Sequence, residues 1–366
     1  MAASPLNSQF PHSPTGSSAA QITLALVVIA RNEAHCIARC LQSAAGMVDK
    51  IILLDTGSTD DTMAIARDLG AQVHSFVWID DFAAARNVAL AYSDAHWNLV
   101  LDADEWIVAV PHGLREALPA AGGFVGALPV ASSFDLADTV ETSTNWISRL
   151  LPAGVRYTGR IHEQVDSTLP RKRLEIRVGH DGYRKQQLDS KAGRNDALLA
   201  MALEESPDDG YLLYQAGKEL EIKRDFESAL HYYSLSMQNT PGYQSYRHDL
   251  VIRTIYTLKK LQLHELAISV IESEYDNWQH SPDFFFVTGD VHLDYAAARP
   301  DLALERLLPI AETSWLQCLR LGDCPDLDGT VMGRGSFLAA HNLAVLYSEI
   351  GDTKRSEEYR ALSQSR

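Results

Sequence analysis

Three carboxylates follow directly on an apolar run in the first third of the chain. The run WNLVL, residues 97–101, leads into Asp102, Asp104 and Glu105. Such a run is typical of a strand buried on both faces, and open α/β folds bind ligands at the carboxyl edge of these strands. In an extended chain Asp102 and Asp104 point the same way, because side chains alternate with a period of two. Two acids on one side predict a hard divalent cation, Mg²⁺ or Mn²⁺, that is shared with a phosphate.

The same carboxylates have a second interpretation. Acids placed after a strand are also typical of the first turn of a helix, where they stabilise the helix dipole. The triplet alone leaves both interpretations open, so the elements in front of it decide how it is used.

Those elements alternate between strand and helix patterns. Strands are predicted at residues 24–30, 50–55 and 71–76, and a helix at residues 83–93 leads to the strand at residue 97. Alternation with short loops predicts a parallel sheet covered by helices on both sides. Its turns would bring polar residues of several loops to one edge, among them Arg31, Asn32, Asp55, Gly57 and Arg86.

The turn after the second strand has two possible uses. Gly57 permits a tight turn, and Ser58 is expected to cap a helix that reaches Leu69, with Asp61 completing a capping box. Asp55, at the end of the strand, could instead accept the N–H of a base or a ribose hydroxyl, while an arginine neutralises a diphosphate. The glycine-rich cradles of dinucleotide and triphosphate sites, G-x-G-x-x-G after the first strand and G-x-x-x-x-G-K-[ST], are absent from the sequence.

Four motifs in a fixed order resemble those of family 2 glycosyltransferases. They are VIARNE at residues 28–33, DTGSTDDT at 55–62, FAAARN at 82–87 and LDADE at 101–105. The resemblance covers residues 24–183 and implies a GT-A fold, a Rossmann-like domain that uses a nucleotide-diphosphate sugar and usually a divalent metal. It implies that Asp55 contacts the base and that Asp102-Ala103-Asp104 is the motif bridging ribose, metal and diphosphate. The remaining residues expected at the donor are Ala30, Arg31, Asn32, Glu33, Gly57 and Arg86.

A base and a third metal ligand are expected from the segment that follows. Transfer with inversion needs a carboxylate that removes the acceptor's proton, and Glu163 is the candidate, beside His162. The family places an acidic pair here at a helix start, whereas this chain has His-Glu, so a helix-cap or salt-bridge role for Glu163 stays open. The family also commonly brings a late histidine to the metal. His180, ahead of a turn predicted at Asp181-Gly182, sits where that ligand would be, although a lone histidine is often only a hydrogen-bonded surface residue.

The second half of the sequence changes to helical spacing. Gly217, Ala229, Tyr233 and Pro241 fall at the offsets of a 34-residue tetratricopeptide (TPR) repeat, and residues 341–352 resemble another such hairpin. Helices are expected near residues 284–297 and 302–312, with a loop at 322–335. Stacked hairpins form grooves for peptides or partner proteins, but they could also only pack on the first domain or form a homodimer interface. Some family 2 transferases with this arrangement glycosylate peptide side chains, which implies a peptide or protein acceptor; a glycan is the other class.

Length and composition define the remaining expectations. The 366 residues predict a disordered leader at residues 1–20, a GT-A domain at 21–189 and an all-α TPR-like domain at 190–366. The net charge of −16 argues against a nucleic-acid partner. The longest early apolar run, residues 22–30, is too short to cross a bilayer. Four cysteines without metal-type clustering are typical of reduced thiols, so a bacterial, cytoplasmic protein is expected.

These observations predict a metal-dependent inverting glycosyltransferase. It would move a hexose from a nucleotide-diphosphate sugar, with UDP as the expected nucleotide, to a peptide, protein or glycan acceptor. A nucleotidyltransferase of sugar phosphates is one alternative, but it would normally show a glycine-rich basic loop after the first strand, where this chain has Ala30-Arg31-Asn32-Glu33. A non-catalytic TPR-type binding scaffold is the other.

Overall fold

The computed structural model of the protein describes residues 21–136, 139–183 and 185–364. The predicted leader, residues 1–20, lies outside the described residues. Within the described ranges no helix combines the length and the apolar character that a membrane crossing requires.

Four parallel strands form the first half of the main sheet. They are β1 (Leu24–Ala30), β2 (Lys50–Asp55), β3 (Gln72–Ser75) and β4 (Trp97–Asp102), in the spatial order β3-β2-β1-β4. Helices α1 (Ile37–Ser43), α2 (Thr62–Asp68) and α3 (Phe82–Ala91) connect them. One apolar cluster fills each face of these strands, which explains why β1 and β4 read as continuous apolar runs. The predicted alternation is confirmed.

Beyond β4 the sheet becomes mixed and continues in the order β4-β7-β6-β11-β5, with β10 pairing β6. The strands are β5 (Glu105–Ala109), β6 (Val125–Leu136), β7 (Thr139–Pro152), β10 (Arg171–Arg173) and β11 (Arg177–Tyr183), and helix α4 (Leu114–Ala117) follows β5. Strands β8 (Arg156–Thr158) and β9 (Gln164–Asp166) form a separate hairpin. The strands predicted at 126–131 and 145–151 are present but longer, because β6 and β7 extend as one antiparallel ribbon through polar sequence.

Three local predictions are wrong. Helix α2 begins at Thr62, whose backbone N–H donates to the Asp60 carboxylate, and Ser58 does not cap the helix. The Ser58 hydroxyl instead accepts the backbone N–H of Asn32, because the loops after β1 and β2 are in contact. Residues 181–182 form no turn, since β11 continues to Tyr183, which still pairs with Phe134 of β6 after an irregularity that follows His180. Glu163 does not start a helix but lies in the loop between β8 and β9.

The second half of the chain is a series of helices. They are α5 (Lys185–Glu205), α6 (Gly210–Ile222), α7 (Phe226–Asn239), α8 (Arg247–Lys260), α9 (His264–Glu274), α10 (Pro282–Ala298), α11 (Pro300–Leu302), α12 (Leu308–Leu321), α13 (Phe337–Glu349) and α14 (Thr353–Gln364), with a 3-10 turn at Tyr275–Asn277 and a π-helical stretch at Ala303–Leu307. The predicted TPR-like hairpins are confirmed as α6–α7 and α13–α14. In the first of them, a Cβ at Gly217 would lie 2.4 Å from the ring of Tyr233, so only glycine allows this close approach. The domain division at residues 189 and 190 stays a prediction and falls within α5.

The two halves share both sheet and core. In the predicted loop 322–335, residues Thr330–Val331 form strand β12, which pairs antiparallel with Ser143 and Thr144 of β7. A buried cluster also joins Ile161, in the loop before β9, to Leu198 and Leu199 of α5. The helices of the second half are therefore packed directly on the first half.

Candidate active site

A cleft of about 1330 Å³ lies between the carboxyl edge of the parallel strands and helix α6. Of the residues predicted from the sequence, it is lined by Ala30, Arg31, Glu33, Arg86, Asp102, Ala103, Asp104, Glu163 and His180. The loops after β1 and β4 supply most of these side chains, because both strands end at this edge. Helix α6 closes the opposite side with Tyr214 and Lys218.

Asp102 is held by two arginines. Its Oδ1 accepts from Arg86 Nη2 at 2.5 Å, and its Oδ2 accepts from Arg149 Nη2 at 2.6 Å. Both arginines are at least 94% buried. Although desolvation raises the pKa of the Asp102 carboxyl, the charges of Arg149 and Arg86 outweigh it and hold this pKa well below its ordinary value. Asp102 is thus an anion whose charge is already neutralised by protein cations.

Glu163 is connected to the same cluster through Arg86. The Nε of Arg86 donates to a carboxylate oxygen of Glu163, so one guanidinium binds both acids. The salt-bridge alternative for Glu163 is therefore what the structure contains. The preceding residue, His162, has a left-handed backbone conformation, with φ of 51°. Non-glycine residues in this region are uncommon and are enriched at functional sites.

Asp104 faces His180 across the cleft wall. The Asp104 Oδ2 and His180 Nε2 atoms are 3.6 Å apart, and His180 Nδ1 is 3.0 Å from the hydroxyl of Ser132. Burial lowers the pKa of the His180 imidazole, but the hydrogen bond and the charge of Asp104 outweigh it and raise this pKa overall. A histidine oriented by a hydroxyl through one ring nitrogen, with the other nitrogen beside a carboxylate, could supply two ligands to a divalent metal.

The predicted set of three metal ligands is not assembled. Asp102 and Asp104 do not alternate along one strand, because β4 ends at Asp102 and the chain turns at residues 103–104. The two acids therefore have different partners, arginines for one and a histidine for the other. Within the described ranges, the only acid–histidine–cysteine group with all ligand atoms within 4.8 Å is Glu33, His35 and Cys36, at the edge of the same cleft.

Three predicted donor residues are not among those lining the cleft. Asp55 is 3% exposed, and its Oδ2 accepts the backbone N–H groups of Gly57 and Ser58, while its Oδ1 is buried with no hydrogen-bond partner. Gly57 has φ of 108°, as its tight turn requires. The amide oxygen of Asn32 accepts the backbone N–H of Thr59. In this structure the Asp55 carboxylate holds its own turn, and the Asn32 amide joins the loops after β1 and β2.

Other lining residues were not identified as site residues from the sequence. Arg149 lies on β7 and also binds the buried Glu105 carboxylate at 2.6 Å. Arg194 of α5 and Lys218 of α6 enter the cleft from the helical half. No local motif marks these helical residues, since only the packing of α5 and α6 on the sheet brings them here.

Comparison with known proteins agrees with this architecture. Residues 25–110 match the family Glycosyl transferase family 2. A TPR repeat-containing protein of Synechococcus elongatus is 33% identical over 64% of this chain and 61% of its own length. The glycosyltransferase SunS of Bacillus subtilis is 26% identical over 69% of this chain and 63% of its own. The chain thus spans less than two thirds of the length of these relatives. A crystal structure of glucosyl-3-phosphoglycerate synthase from Mycobacterium tuberculosis overlaps 34% of this chain and 51% of its own, with 25% identity and a TM-score of 0.25.

Proposed function

We propose that the chain, whose residues 25–110 match glycosyl transferase family 2, transfers a hexose from a nucleotide-diphosphate sugar to an acceptor with inversion. The observation that carries the proposal is that Asp102, Asp104, Glu163 and His180 line one cleft at the carboxyl edge of the parallel strands. We propose UDP as the nucleotide, and a peptide, protein or glycan as the acceptor. The cleft exceeds the roughly 300–1,000 Å³ of ordinary small-molecule sites, which leaves room for an acceptor beside the donor.

The residues present fit a divalent metal at Asp104 and His180. Their facing Oδ2 and Nε2 atoms, 3.6 Å apart, are close enough to bind one ion together, and Ser132 fixes the ring of His180. A metal ion binds only the neutral imidazole, so ion binding at His180 would release any proton that its Nε2 atom carries. When bound, Mn²⁺ or Mg²⁺ would neutralise charge on the departing diphosphate. Asp102 is proposed to contact the donor from its place between the two arginines.

Glu163 is proposed as the base. A carboxylate oxygen of Glu163 takes the proton of the acceptor nucleophile as that nucleophile forms its bond to the anomeric carbon, and the bond from this carbon to the diphosphate oxygen breaks. Attack from the side opposite the diphosphate inverts the configuration. Arg86 supports this role, since its salt bridge orients the Glu163 carboxylate.

The test is a donor screen. The protein is incubated with several UDP- and GDP-sugars, with Mn²⁺, with Mg²⁺ or with EDTA, and released nucleotide is measured. We expect slow hydrolysis of at least one donor that requires the added metal. A protein that releases no nucleotide from any donor under any condition, while remaining folded, would be a binding scaffold and not a transferase.

A further inference from the structure

The arginines and lysines that line the cleft fall into two groups, those paired with a carboxylate and those without one. In the described part of the chain, the lining arginines 86, 149 and 173 and Lys223 each bind a carboxylate. Four other lining cations have no carboxylate oxygen within 4.0 Å: Arg31, Arg171, Arg194 and Lys218. Arg171 donates to backbone carbonyls instead, and Lys218 lies over the ring of Tyr214 at 5.1 Å. Arg194 also lies over an aromatic ring, that of Phe82, but unlike Lys218 it carries a planar fork of N–H donors. Arg31 and Arg194 are therefore the two cations of this group best suited to a phosphate, in a chain whose net charge is −16.

Arg194 reaches the cleft from the helical half. Its guanidinium carbon lies 5.2 Å from the centre of the Phe82 ring, at the start of α3, and its Nη2 contacts the side-chain oxygen of Asn195 at 3.4 Å. Leu198, one turn further on the same face of α5, is 2% exposed and packs in the cluster that includes Ile161. The buried leucine therefore fixes the helix face that carries Arg194 against the catalytic half.

Arg31 faces the same space from the catalytic half. It ends β1 in an exposed position beside Asn32, whose left-handed backbone and amide hydrogen bond to Thr59 hold the loop. The pKa of Arg194 is lowered, first by burial and then by the positive charge of Arg31, while Glu33 opposes the shift. Two guanidinium groups that repel each other across a cleft are stabilised by a multivalent anion between them, because each presents a fork of N–H donors that matches phosphate oxygens.

We propose that Arg31 and Arg194 together bind the diphosphate of the donor, so that the helical half supplies part of the donor site. The inference rests on the proposed glycosyl transfer, because a nucleotide-diphosphate donor is what places a diphosphate in this cleft. It assigns Arg194 a direct contact with substrate, and it makes the packing of α5 a condition for donor binding.

The test measures binding of inorganic pyrophosphate, UDP and GDP by calorimetry in EDTA, so that no metal contributes. The full chain is compared with Arg194→Ala, Arg194→Lys and Arg31→Ala. We expect each alanine variant to weaken pyrophosphate and at least one nucleotide by about 10- to 100-fold, the usual worth of a charge-assisted hydrogen-bond pair. Arg194→Lys should fall in between, since lysine keeps the charge without the fork.

Lys223→Ala is the matched control, because Lys223 lines the same cleft on the same half but is already paired with Asp196. It should leave pyrophosphate affinity within about twofold. If Arg194→Ala binds pyrophosphate and the nucleotides as tightly as the unaltered chain, the inference is overturned, but the transferase proposal is not affected. A different outcome is that pyrophosphate binding depends on Arg194 but the protein releases no nucleotide from any sugar donor. This outcome would contradict the transferase proposal and show that the cleft is only an anion-binding site. Absence of any binding by the unaltered chain would also overturn the inference.

Discussion

Asp102 and Glu163 share one cation. Arg86 donates to Asp102 from Nη2 at 2.5 Å and to Glu163 from Nε, and its side chain is 5% exposed. The acid proposed to contact the donor and the acid proposed to accept the proton are therefore fixed relative to each other by a single planar group. Any shift of the Arg86 side chain would therefore change the positions of both carboxylates together.

Replacing Glu163 by glutamine should separate proton transfer from donor binding. Glutamine can still accept from Arg86 but cannot take a proton at neutral pH, so we expect the transfer rate to fall about 10²- to 10⁴-fold while the donor dissociation constant stays within about threefold. Steady-state kinetics and UDP binding provide the two measurements. Glu175→Gln, at an exposed position before β11, is the control. A normal rate in Glu163→Gln would remove this residue as the base.

Asp104→Ala should remove the metal-dependent activity without unfolding the chain. The substitution leaves His180 as a single neutral or protonated ligand, so we expect donor turnover at saturating Mn²⁺ to drop by at least about 100-fold. Asp68→Ala, an exposed aspartate at the end of α2, should behave like the unaltered protein. Rates are followed against metal concentration, and circular dichroism confirms folding. Full turnover of Asp104→Ala with saturating donor would contradict the metal role.

Arg149→Met tests the buried ionic cluster. Glu105 is 2% exposed and Arg149 is its partner at 2.6 Å, so the substitution leaves a buried carboxylate without its cation. Breaking such a pair typically costs about 3–5 kcal/mol in the free energy of unfolding, which urea denaturation would measure. Arg156→Met, whose guanidinium is exposed and bonded only to the carbonyl of Val155, should cost less than about 0.5 kcal/mol. Equal stabilities of the two variants would show that the cluster is not a structural requirement.

The lowered pKa of the His162 imidazole predicts that the protein loses stability in acid. Burial, and then the charge of Lys218, lower the pKa of its imidazole from 6.5 to about 3. Between these two values the unfolded chain binds a proton that the folded chain does not, so the free energy of unfolding falls as pH decreases from about 6.5 to 3. Asparagine tolerates the left-handed backbone at this position. Over the same pH window, His162→Asn should lose about 1–3 kcal/mol less free energy of unfolding than the unaltered protein, a range that takes account of the partial burial of residue 162. Parallel pH profiles of the two proteins would contradict this prediction.

Two glycines in helices should respond in opposite directions to alanine. A Cβ at Gly217 would lie 2.4 Å from the ring of Tyr233, which is fully buried, so Gly217→Ala should cost about 1–3 kcal/mol. A Cβ at Gly193 in α5 has no heavy atom within 4 Å, so Gly193→Ala should stabilise the protein by about 0.5–1 kcal/mol. Thermal denaturation of both variants measures the difference. A stabilised Gly217→Ala would show that the hairpin can open without loss.

The parallel half of the fold could be predicted because its strands are buried on both faces and therefore carry uninterrupted apolar runs. The errors arise where tertiary contacts decide local structure. The Ser58 hydroxyl is used by Asn32 of another loop, and the residues around Asp181 stay extended because His180 is paired with Glu105 on one side and Ser132 on the other. Neither effect is present in the local sequence.

The candidate site was predictable in its acids and in Arg31 and Arg86, but not in Arg149, Arg194 and Lys218. The carboxylates cluster in short motifs, so Asp102, Asp104 and Glu163 could be identified one by one. The pairing of Asp102 with Arg149 could not be predicted. Arg149 comes from β7, and whether it contacts Asp102 depends on how β7 pairs with β4. The roles given to these acids, and to His180, stay predictions until the variants above are measured.

Because of strand β12, the first half of the chain cannot complete its sheet without the second half. Thr330 and Val331 cover a stretch of β7, at Ser143 and Thr144, whose backbone groups lie beyond the pairing with β4 at residues 150–152. A fragment that stops near residue 189 would leave those amides and carbonyls bare, and bare strand edges invite self-association. We therefore expect such a fragment to aggregate alone and to be rescued when the missing piece is supplied in trans. The main sheet is finished only after residues 330–331, close to the far end of the chain, have been made.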